Sequence, residues 1–438
     1  MEVLLPIIKG GEIMKESRKK IISWAFYDWA NSVYATTVMA GFFPIFFEKY
    51  WSNPDDVIQS TYHLGIANSI SSIIIALVAP ILGAIADKGS AKKKFLITFA
   101  FLGIIMTGGL WFVQQGQWKL AAILYIMSTV GFMAGNIFYD SLLPSVAKKE
   151  KIDYVSSLGY SLGYLGGGLL FLINVLMYLN PSWFGIPDQS TAIRISFISV
   201  SIWWGVFTLP IIFFFPEPNK TKKIPIRNAI SSGFKQINET YKNIREMKII
   251  GTFLLAYWLY EDGVATIVRM AVKVGSSMGF EPADLILAIL MVQFIGVPAA
   301  LLYNWFGSKI GVKNAVLFAI CGYGVATILG YLMTEKFHFY LLAVIIGCFQ
   351  GGIQALSRSL FSRLIPKGKE AEFFGFYNML GKFAAVLGPL IMGYITILTG
   401  NVRTGILSIL VLFVLGAIIL RKVDFDAGEK IALEYGKN

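Results

Sequence analysis

The chain has few of the side chains on which metal centres and disulfide frameworks depend. Its 438 residues include two cysteines and two histidines, and only 15% of the residues are charged. Cys321 and Cys348 both fall within apolar runs, where a thiol behaves as a small apolar group, so we expect no structural disulfide. His63 and His338 stand far apart at the ends of apolar segments, which excludes a histidine-based metal site.

The chain also lacks the motifs of soluble catalysis. It has no Gly-x-x-x-x-Gly-Lys-Ser/Thr phosphate loop, no zinc-ligand spacing and no nucleophile paired with a base. We therefore expect neither an enzyme nor an ATP-driven pump, and no metal or other cofactor. The net charge is +12, but the basic residues do not share a face with interleaved aromatics, so we exclude nucleic acid as a partner.

Apolar residues are abundant instead, at 56% of the chain with a mean hydropathy of +0.65. They form stretches of about 20 residues, the length that a helix needs to cross a bilayer. The sequence therefore predicts an all-α membrane protein with twelve transmembrane helices. The predicted spans are 22–47, 62–86, 95–113, 119–143, 154–179, 192–215, 249–270, 283–306, 312–333, 339–364, 373–398 and 403–420.

The basic residues predict the orientation of these spans. Most of the 38 lysines and arginines fall in the leader, the C-terminal tail and alternate connections, of which 358–369 is one. The opposite connections, such as 52–60 and 180–189, have acidic residues but no lysine or arginine. Cytoplasmic loops carry the excess of positive charge, so we expect both termini in the cytoplasm and the chain in the plasma or inner membrane.

The longest break divides the helices six and six and predicts two bundles. We expect a retained leader at 1–21, bundles at 22–215 and 249–421, a linker at 216–248 and a tail at 422–438. Apolar residues in the linker recur every three or four positions, which indicates an amphipathic helix on the membrane surface or, as an alternative, a helix that binds a regulatory partner.

The sequence also indicates that the two bundles are an internal repeat. A short basic turn follows the second predicted span of each one, at 83–94 and again at 304–313. Duplicated bundles are typical of secondary transporters.

Polar residues inside the apolar region from Gly347 to Gly393 mark a candidate site. Gln350, Gln354 and Arg358 lie in one predicted span, and Asn378 and Lys382 in the next. Such residues are costly in hydrocarbon and usually functional. Lys382 lies about nine helical steps, or ~13.5 Å, into its span, so its ammonium needs an anionic partner.

Three other spans supply candidates for the site. Asp28 shares a helix face with Asn31, and it binds either a solute amine, a proton or a structural cation. In the fifth span Tyr164 lies beside Gly159, Gly163 and Gly167, whose spacing of four predicts close helix packing.

The seventh predicted span carries two adjacent acids, Glu261 and Asp262, followed by Gly263. Neighbouring residues point about 100° apart on a helix, so we expect only one of the two acids to face a central cavity. Repulsion between them raises the pKa of at least one, as a proton-coupling site requires. The alternative is that both are solvated outside the membrane. Together with Asp28, they are the candidate partners of Lys382.

The turn at 83–94 resembles the signature loop of the major facilitator superfamily, Gly-x-x-x-Asp-Arg-x-Gly-Arg-Lys. The match departs at Gly89, which comes one residue early, and at Lys92, the first basic residue after it. In that superfamily the loop latches one state of the transporter. The resemblance implies a cytoplasmic gate made by Asp87, Lys92, Lys93 and Asp140, with Asp140 paired to one of the two lysines. The alternative is that Asp87 only caps a helix.

Four segments spread over both bundles are similar to one branch of that superfamily, the vacuolar amino-acid effluxer-like transporters. They are residues 24–38, 156–168, 254–264 and 351–389. The resemblance implies the two-bundle fold and, from fungal members, export of neutral amino acids. Glu261 departs from the uncharged polar residue expected before Asp262 and Gly263.

We therefore predict a secondary transporter that moves a small polar solute, an amino acid or similar zwitterion, by alternating access, with proton coupling through Glu261 or Asp262. We expect a monomer whose other partner is the lipid bilayer. The predicted substrate-binding residues are Asp28, Asn31, Tyr164, Gln350, Gln354, Asn378 and Lys382. The alternatives are a lipid-flipping transporter and a receptor or scaffold on the same fold.

Overall fold

The computed structural model describes residues 4–53, 55–89, 91–217, 248–277, 279–383 and 387–435. The side chains of 4–17, 57–58, 269–274, 276–277, 282, 382–383 and 435 are outside that description. Most of the predicted linker, 218–247, and the side chain of Lys382 therefore lie outside the described residues.

The first six long helices form the N-half. Helix α1 spans Leu4–Val33 and continues to Trp51 through wide π-helical turns at Tyr34–Phe42, a short α-helical stretch at Phe43–Phe46 and further wide turns at Phe47–Trp51. The others are α2 (Val57–Gly89), α3 (Lys92–Gly109), α4 (Trp118–Val146), α5 (Ile152–Leu179) and α6 (Gln189–Phe214).

The C-half follows the linker. Its helices are α7 (Lys248–Ser277), α8 (Pro282–Ile310), α9 (Val312–Leu332), α10 (Lys336–Leu364), α11 (Glu370–Phe383), α12 (Leu387–Thr399), α13 (Val402–Ser408) and α14 (Leu410–Arg421). Helix α15 (Phe425–Tyr435) completes the described chain.

Ten described helices are long and apolar enough to cross a membrane. Helix α7 is not among them, and neither are α11 and α12, which together occupy the eleventh predicted span. The all-helical class is confirmed, whereas the count of twelve spans remains a prediction. Each half has its own apolar core, with Trp24 and Trp204 fully buried in one and Phe253 and Phe361 in the other.

One lysine in each half donates hydrogen bonds to carbonyls at the end of a neighbouring helix. At the start of α3, Lys93 donates from Nζ to the carbonyls of Ile212 and Phe215 at 2.7 and 2.5 Å. At the start of α9, Lys313 donates to the carbonyls of Arg421 and Val423 at 2.7 and 2.8 Å. Each ammonium satisfies carbonyls at the C-terminal end of a helix, where the dipole favours a cation. The equivalence supports the predicted internal repeat. Lys93 thus holds α3 to α6 within the N-half, whereas the prediction allowed it as a partner of Asp140.

The halves touch most closely where α2 passes α11. A Cβ added to Gly83 would lie 2.3 Å from the carbonyl oxygen of Ala371, and one added to Gly375 would lie 2.8 Å from that of Ala79. Only glycine allows the two backbones to approach this closely. We call this end of the molecule, which also carries Lys92, the closed end.

Candidate functional site

A cavity of about 300 Å³ lies between the halves, and both halves line it. Its lining includes most of the residues that we predict from sequence to form the site. They are Asp28, Asn31, Asp140, Tyr164, Glu261, Gln350, Gln354 and Asn378.

Arg358 is the central cation of this cavity. It is 2% exposed and all three of its guanidinium nitrogens are engaged. Nε donates to Ser156 Oγ at 3.0 Å, one Nη donates to the Ser156 carbonyl at 2.9 Å, and the other donates to Asp140 Oδ1 at 3.0 Å. The latter nitrogen also lies 3.6 Å from Asp28 Oδ2. One arginine of the C-half therefore lies between two carboxylates of the N-half.

Three aromatic rings surround the same guanidinium. Its carbon lies 4.2 Å from the ring centre of Tyr160, 5.0 Å from that of Trp24 and 5.4 Å from that of Tyr139. The faces of aromatic rings attract a cation, most strongly where water is excluded. The arginine is held by charge, hydrogen bonds and ring faces together.

The two carboxylates each have a further polar partner. Tyr139 donates its hydroxyl to Asp28 at 3.0 Å, and the Asn378 amide donates to Asp140 at 3.1 Å. The predicted pairing of Asp140 with Lys92 or Lys93 is wrong, because Arg358 reaches Asp140 from the facing half. For Asp28, the structural ion pair is the alternative that the geometry favours.

The role of Arg358 differs from our prediction. We predicted it within a span, but we also counted it with the basic residues of the cytoplasmic side and left it out of the substrate-binding residues. Helix α10 continues to Leu364 as that span does, so Arg358 remains inside the bundle. Gln350 and Gln354 precede it at spacings of four, and residues four apart share a helix face. All three line the cavity. That spacing is the signal in the sequence that identifies Arg358 as a site residue.

Other polar contacts join the walls of the cavity. Asn31 donates to Asn136 at 2.6 Å within the N-half, and Tyr164 donates its hydroxyl to Gln354 at 3.1 Å across the halves. Gly163 is the middle member of the predicted glycine series on α5. A Cβ there would lie 2.6 Å from Ser32 Oγ, so the series does serve the close packing of α5 on α1.

The two adjacent acids of α7 point in different directions, as predicted. Glu261 lines the cavity. Asp262 is fully buried and accepts hydrogen bonds from the backbone N–H groups of Leu387 and Gly388 at 2.9 and 2.8 Å. These are the first N–H groups of α12, which a carboxylate commonly caps. Asp262 is thus occupied in holding α12 in place, and only Glu261 is positioned to act in the cavity.

An ion cluster joins the halves at the closed end. Lys92 lies 2.8 Å from Asp87 of its own half and 2.6 Å from Glu370 of the C-half. Asp87 also accepts from the backbone N–H groups of Ala371 and Glu372 at 3.1 and 2.8 Å. Asp87 therefore caps α11 across the interface as well as pairing with Lys92. Glu370 is the member of the cluster that sequence reasoning missed.

The charge of Glu370 is stable near neutral pH. Burial alone raises its pKa, but the charge of Lys92 and hydrogen bonds from Lys92 and from the Gly368 N–H outweigh burial. The pKa of Glu370 is therefore lower than its ordinary value. Further out at the closed end, Arg363 pairs with Asp153, and Glu429 of α15 pairs with Lys149.

At the other end of the bundle the halves enclose a second, mostly apolar cavity of about 510 Å³, which we call the vestibule. Pro44 and Ala40 line it from the N-half, and Phe339, Leu342 and Val268 line it from the C-half. The polar cavity is thus closed by ion pairs on one side and adjoins an apolar space on the other. No cluster of metal-ligating side chains occurs in the part of the chain that the structure describes.

Comparisons with known proteins identify the family to which this chain belongs. Residues 56–433 match the family model described as "Vacuole effluxer Atg22 like". The chain is 37% identical to the uncharacterized MFS-type transporter YxiO of Bacillus subtilis over 96% of its own length and 98% of the relative's. This chain belongs to the Atg22-like family of major facilitator transporters. The resemblance inferred from its motifs is confirmed.

More distant relatives of this Atg22-like chain agree with that assignment. Autophagy-related protein 22 of Yarrowia lipolytica is 25% identical over 84% of this chain and 76% of its own. The solved proton:xylose symporter XylE superposes with a TM-score of 0.70 at 14% identity, covering 94% of this chain and 96% of its own. A bacterial homologue of ferroportin in its outward-facing state gives 0.63 at 14% identity, covering 94% and 99%. The fold is that of the major facilitator superfamily, and the chain is a multi-pass membrane transporter, not an enzyme.

Proposed function

We propose that this Atg22-like chain is a secondary transporter of a small polar solute, an amino acid or similar zwitterion, which it moves by alternating access. The observation that carries the proposal is the polar cavity between the halves, which has side chains of both signs on its walls. A zwitterion needs a fixed anion and a fixed cation in a site from which water is excluded. Carboxylates of α1, α4 and α7 and the guanidinium of α10 supply them.

The ion pairs that cross the interface give alternating access a physical basis. In this conformation Lys92 with Glu370, and Arg358 with Asp140, hold the halves together on one side of the site. A solute that competes for these charges favours separation of the halves on that side, since a ligand shifts an equilibrium by its differential affinity for the two states. We propose that the closed end faces the cytoplasm, with both termini there, and that the closed-end cluster is the cytoplasmic gate.

Glu261 is the proposed site of proton coupling. It is the acid of α7 that lines the cavity, whereas Asp262 caps α12. Coupling through Glu261 is subsidiary to the transport proposal, and it can fail while the transport proposal stands. We further propose twelve spans, the predicted division into two bundles, a monomer, and location in the plasma or inner membrane.

A ligand screen tests the solute class. Purified protein is heated with amino acids, sugars, nucleosides, short peptides or phospholipids, because a ligand that binds only the folded state raises the unfolding midpoint. We expect a rise with one or more amino acids. A rise restricted to sugars or nucleosides overturns the amino-acid assignment, and a rise only with phospholipids favours the lipid-flipping alternative.

Counterflow in proteoliposomes then tests transport itself. We expect the amino acid that stabilises the protein to exchange across the membrane and Asp140→Asn to slow that exchange. If an imposed pH gradient and Glu261→Gln both leave net transport unchanged, proton coupling at Glu261 is wrong while the transport proposal stands.

A further inference from the structure

The polar cavity and the vestibule meet at a small group of residues that line both spaces. They are Ala35 and Thr36 of the N-half and Gln293 and Gln350 of the C-half. Three of the four are polar, although the vestibule around them is mostly apolar. Any solute that enters the polar cavity from the vestibule passes these side chains.

A hydrogen bond joins the halves at this level. Gln293 donates from its amide nitrogen to the hydroxyl oxygen of Thr36 at 3.2 Å, and Thr36 donates that hydroxyl to the Ser32 carbonyl at 3.1 Å. The amide of α8 is thereby attached to the backbone of the first helix. This single neutral bond is far weaker than the ion pairs of the closed end.

The backbone around Thr36 is unusual. Thr36 lies within the nine-residue stretch of π-helical turns at Tyr34–Phe42. Such turns are rare, and they concentrate at functional sites where a helix must change its geometry. A side chain mounted on this stretch moves with a local rearrangement of the helix.

Gln350 contributes a hydrogen-bond acceptor that the protein leaves unused. Its Oε1 is buried and has no hydrogen-bond partner among the described residues. A buried acceptor without a donor costs free energy, so it calls for an explanation. A solute that donates an N–H or O–H at this point removes the cost.

We propose that Thr36, Gln293 and Gln350 form a selective gate between the vestibule and the polar cavity, which we call the glutamine gate. The bond between Gln293 and Thr36 closes the passage and opens when a solute passes. Gln350 then accepts a hydrogen bond from the solute, so the gate favours solutes with an N–H or O–H donor. The inference rests on the proposed role of the cavity as the solute site and adds residues that control entry to it.

Gly168 of α5 offers a way to perturb the gate without altering any of its members. A Cβ added to Gly168 would lie 3.1 Å from the Cβ of Gln293, so Gly168→Ala displaces the base of the Gln293 side chain. Gly65→Ala is the matched control, because nothing lies within 4 Å of a Cβ at that position.

The test compares two single thiols in protein whose native cysteines are replaced by Cys321→Ser and Cys348→Ser. Ser32→Cys places a thiol in the polar cavity, and Ala40→Cys places one in the vestibule. The probe is a cationic methanethiosulfonate reagent added to purified protein without any solute, so the result does not depend on which substrate the protein carries. Failure of the ligand screen and failure of the gate are therefore separate outcomes.

We expect Gln293→Ala to accelerate modification at position 32 about three- to tenfold relative to position 40, the effect of one neutral hydrogen bond. Gly168→Ala changes this rate because it displaces Gln293, and Gly65→Ala leaves it unchanged. Equal rates in all variants overturn the gate, because the reagent then reaches the cavity by another route.

A second measurement tests the acceptor. Gln350→Met keeps the side-chain length but removes the unused oxygen, so the unfolding midpoint of the solute-free protein stays the same or rises. A lower midpoint would mean that the amide has a structural partner, which overturns the role of Gln350 in the gate.

Discussion

The guanidinium of Arg358 lies 3.0 Å from a carboxylate oxygen of Asp140, although the two residues belong to opposite halves and are 218 positions apart. Both side chains are almost completely buried. A buried ion pair costs free energy to desolvate, and separating its partners leaves each charge uncompensated. In a transporter the separation has to be offset, and a charged solute between the halves is the natural source of that compensation.

Replacing Arg358 by methionine should destabilise the protein strongly. The variant leaves Asp28 and Asp140 buried without their cation, and removal of one partner from a buried ion pair costs about 3–5 kcal/mol. We expect a large fall in the unfolding midpoint. Arg358→Lys should recover only part of it, since an ammonium cannot contact Asp140 and both oxygens of Ser156 in the geometry of the guanidinium.

The double variant with Asp140→Asn tests whether the two side chains act as a pair. We expect the loss in Arg358→Met plus Asp140→Asn to be smaller than the sum of the two single losses, because Asp140→Asn removes one of the two carboxylates that Arg358→Met leaves without a cation. Additive losses would show that the stabilising effect of Arg358 comes from its contacts with Ser156 and the aromatic rings.

The contact between α2 and α11 makes Gly83 a sensitive position. Gly83→Ala places a methyl group against the backbone of Ala371 at the closed end, and overpacking of this kind costs about 1–3 kcal/mol. We expect the halves to separate there. Distances between spin labels at Lys94→Cys and Lys367→Cys, both exposed positions, measure the separation. Gly65→Ala lies on the same helix in open space, and a shift there would remove the packing explanation.

The sequence predicted the helices and the face of the site well because both depend on local patterns. Apolar runs of membrane length determine the spans, and a spacing of four brings Gln350 and Gln354 to one face of α10. The role of Arg358 as a shared cation was not accessible, although the predicted span ended at Leu364 as α10 does, because its carboxylate partners lie in the other half of the chain.

The contacts of the site residues were harder to predict from sequence than their positions along the helices. The pairing of Lys92 with Glu370 depends on how α2 passes α11, and no local pattern encodes that approach. The same is true of Asp262, whose role depends on where α12 begins. Asp28 was recognised as an acid within a span and Asp140 as a gate residue, but their common cation lies in the other half of the chain.

Glu370 leads to a prediction about pH. Its pKa is lowered in the folded protein, so its ion pair with Lys92 is present at every pH above the ordinary value of 4.5 and weakens only when the pH falls below it. Burial raises the pKa of Asp87, the other acid of the cluster, to about 6. We therefore expect the label distance across the closed end to stay constant only from about pH 8 to about pH 7. A change in that interval would identify another titrating group in the closed-end contact.

The two acids of α7 should respond differently to neutralisation. Asp262 uses both carboxylate oxygens to accept from the N–H groups of α12, so Asp262→Asn turns an amide N–H₂ toward one of those donors. Hydrogen bonds to a charged group contribute about 1.5–3 kcal/mol, so we expect a clear fall in the unfolding midpoint. Glu261→Gln keeps its position on the cavity wall and should alter solute binding or its dependence on pH with little change in the midpoint. If Glu261→Gln lowers the midpoint as much as Asp262→Asn does, then Glu261 also has a structural role, and its assignment to coupling loses its support.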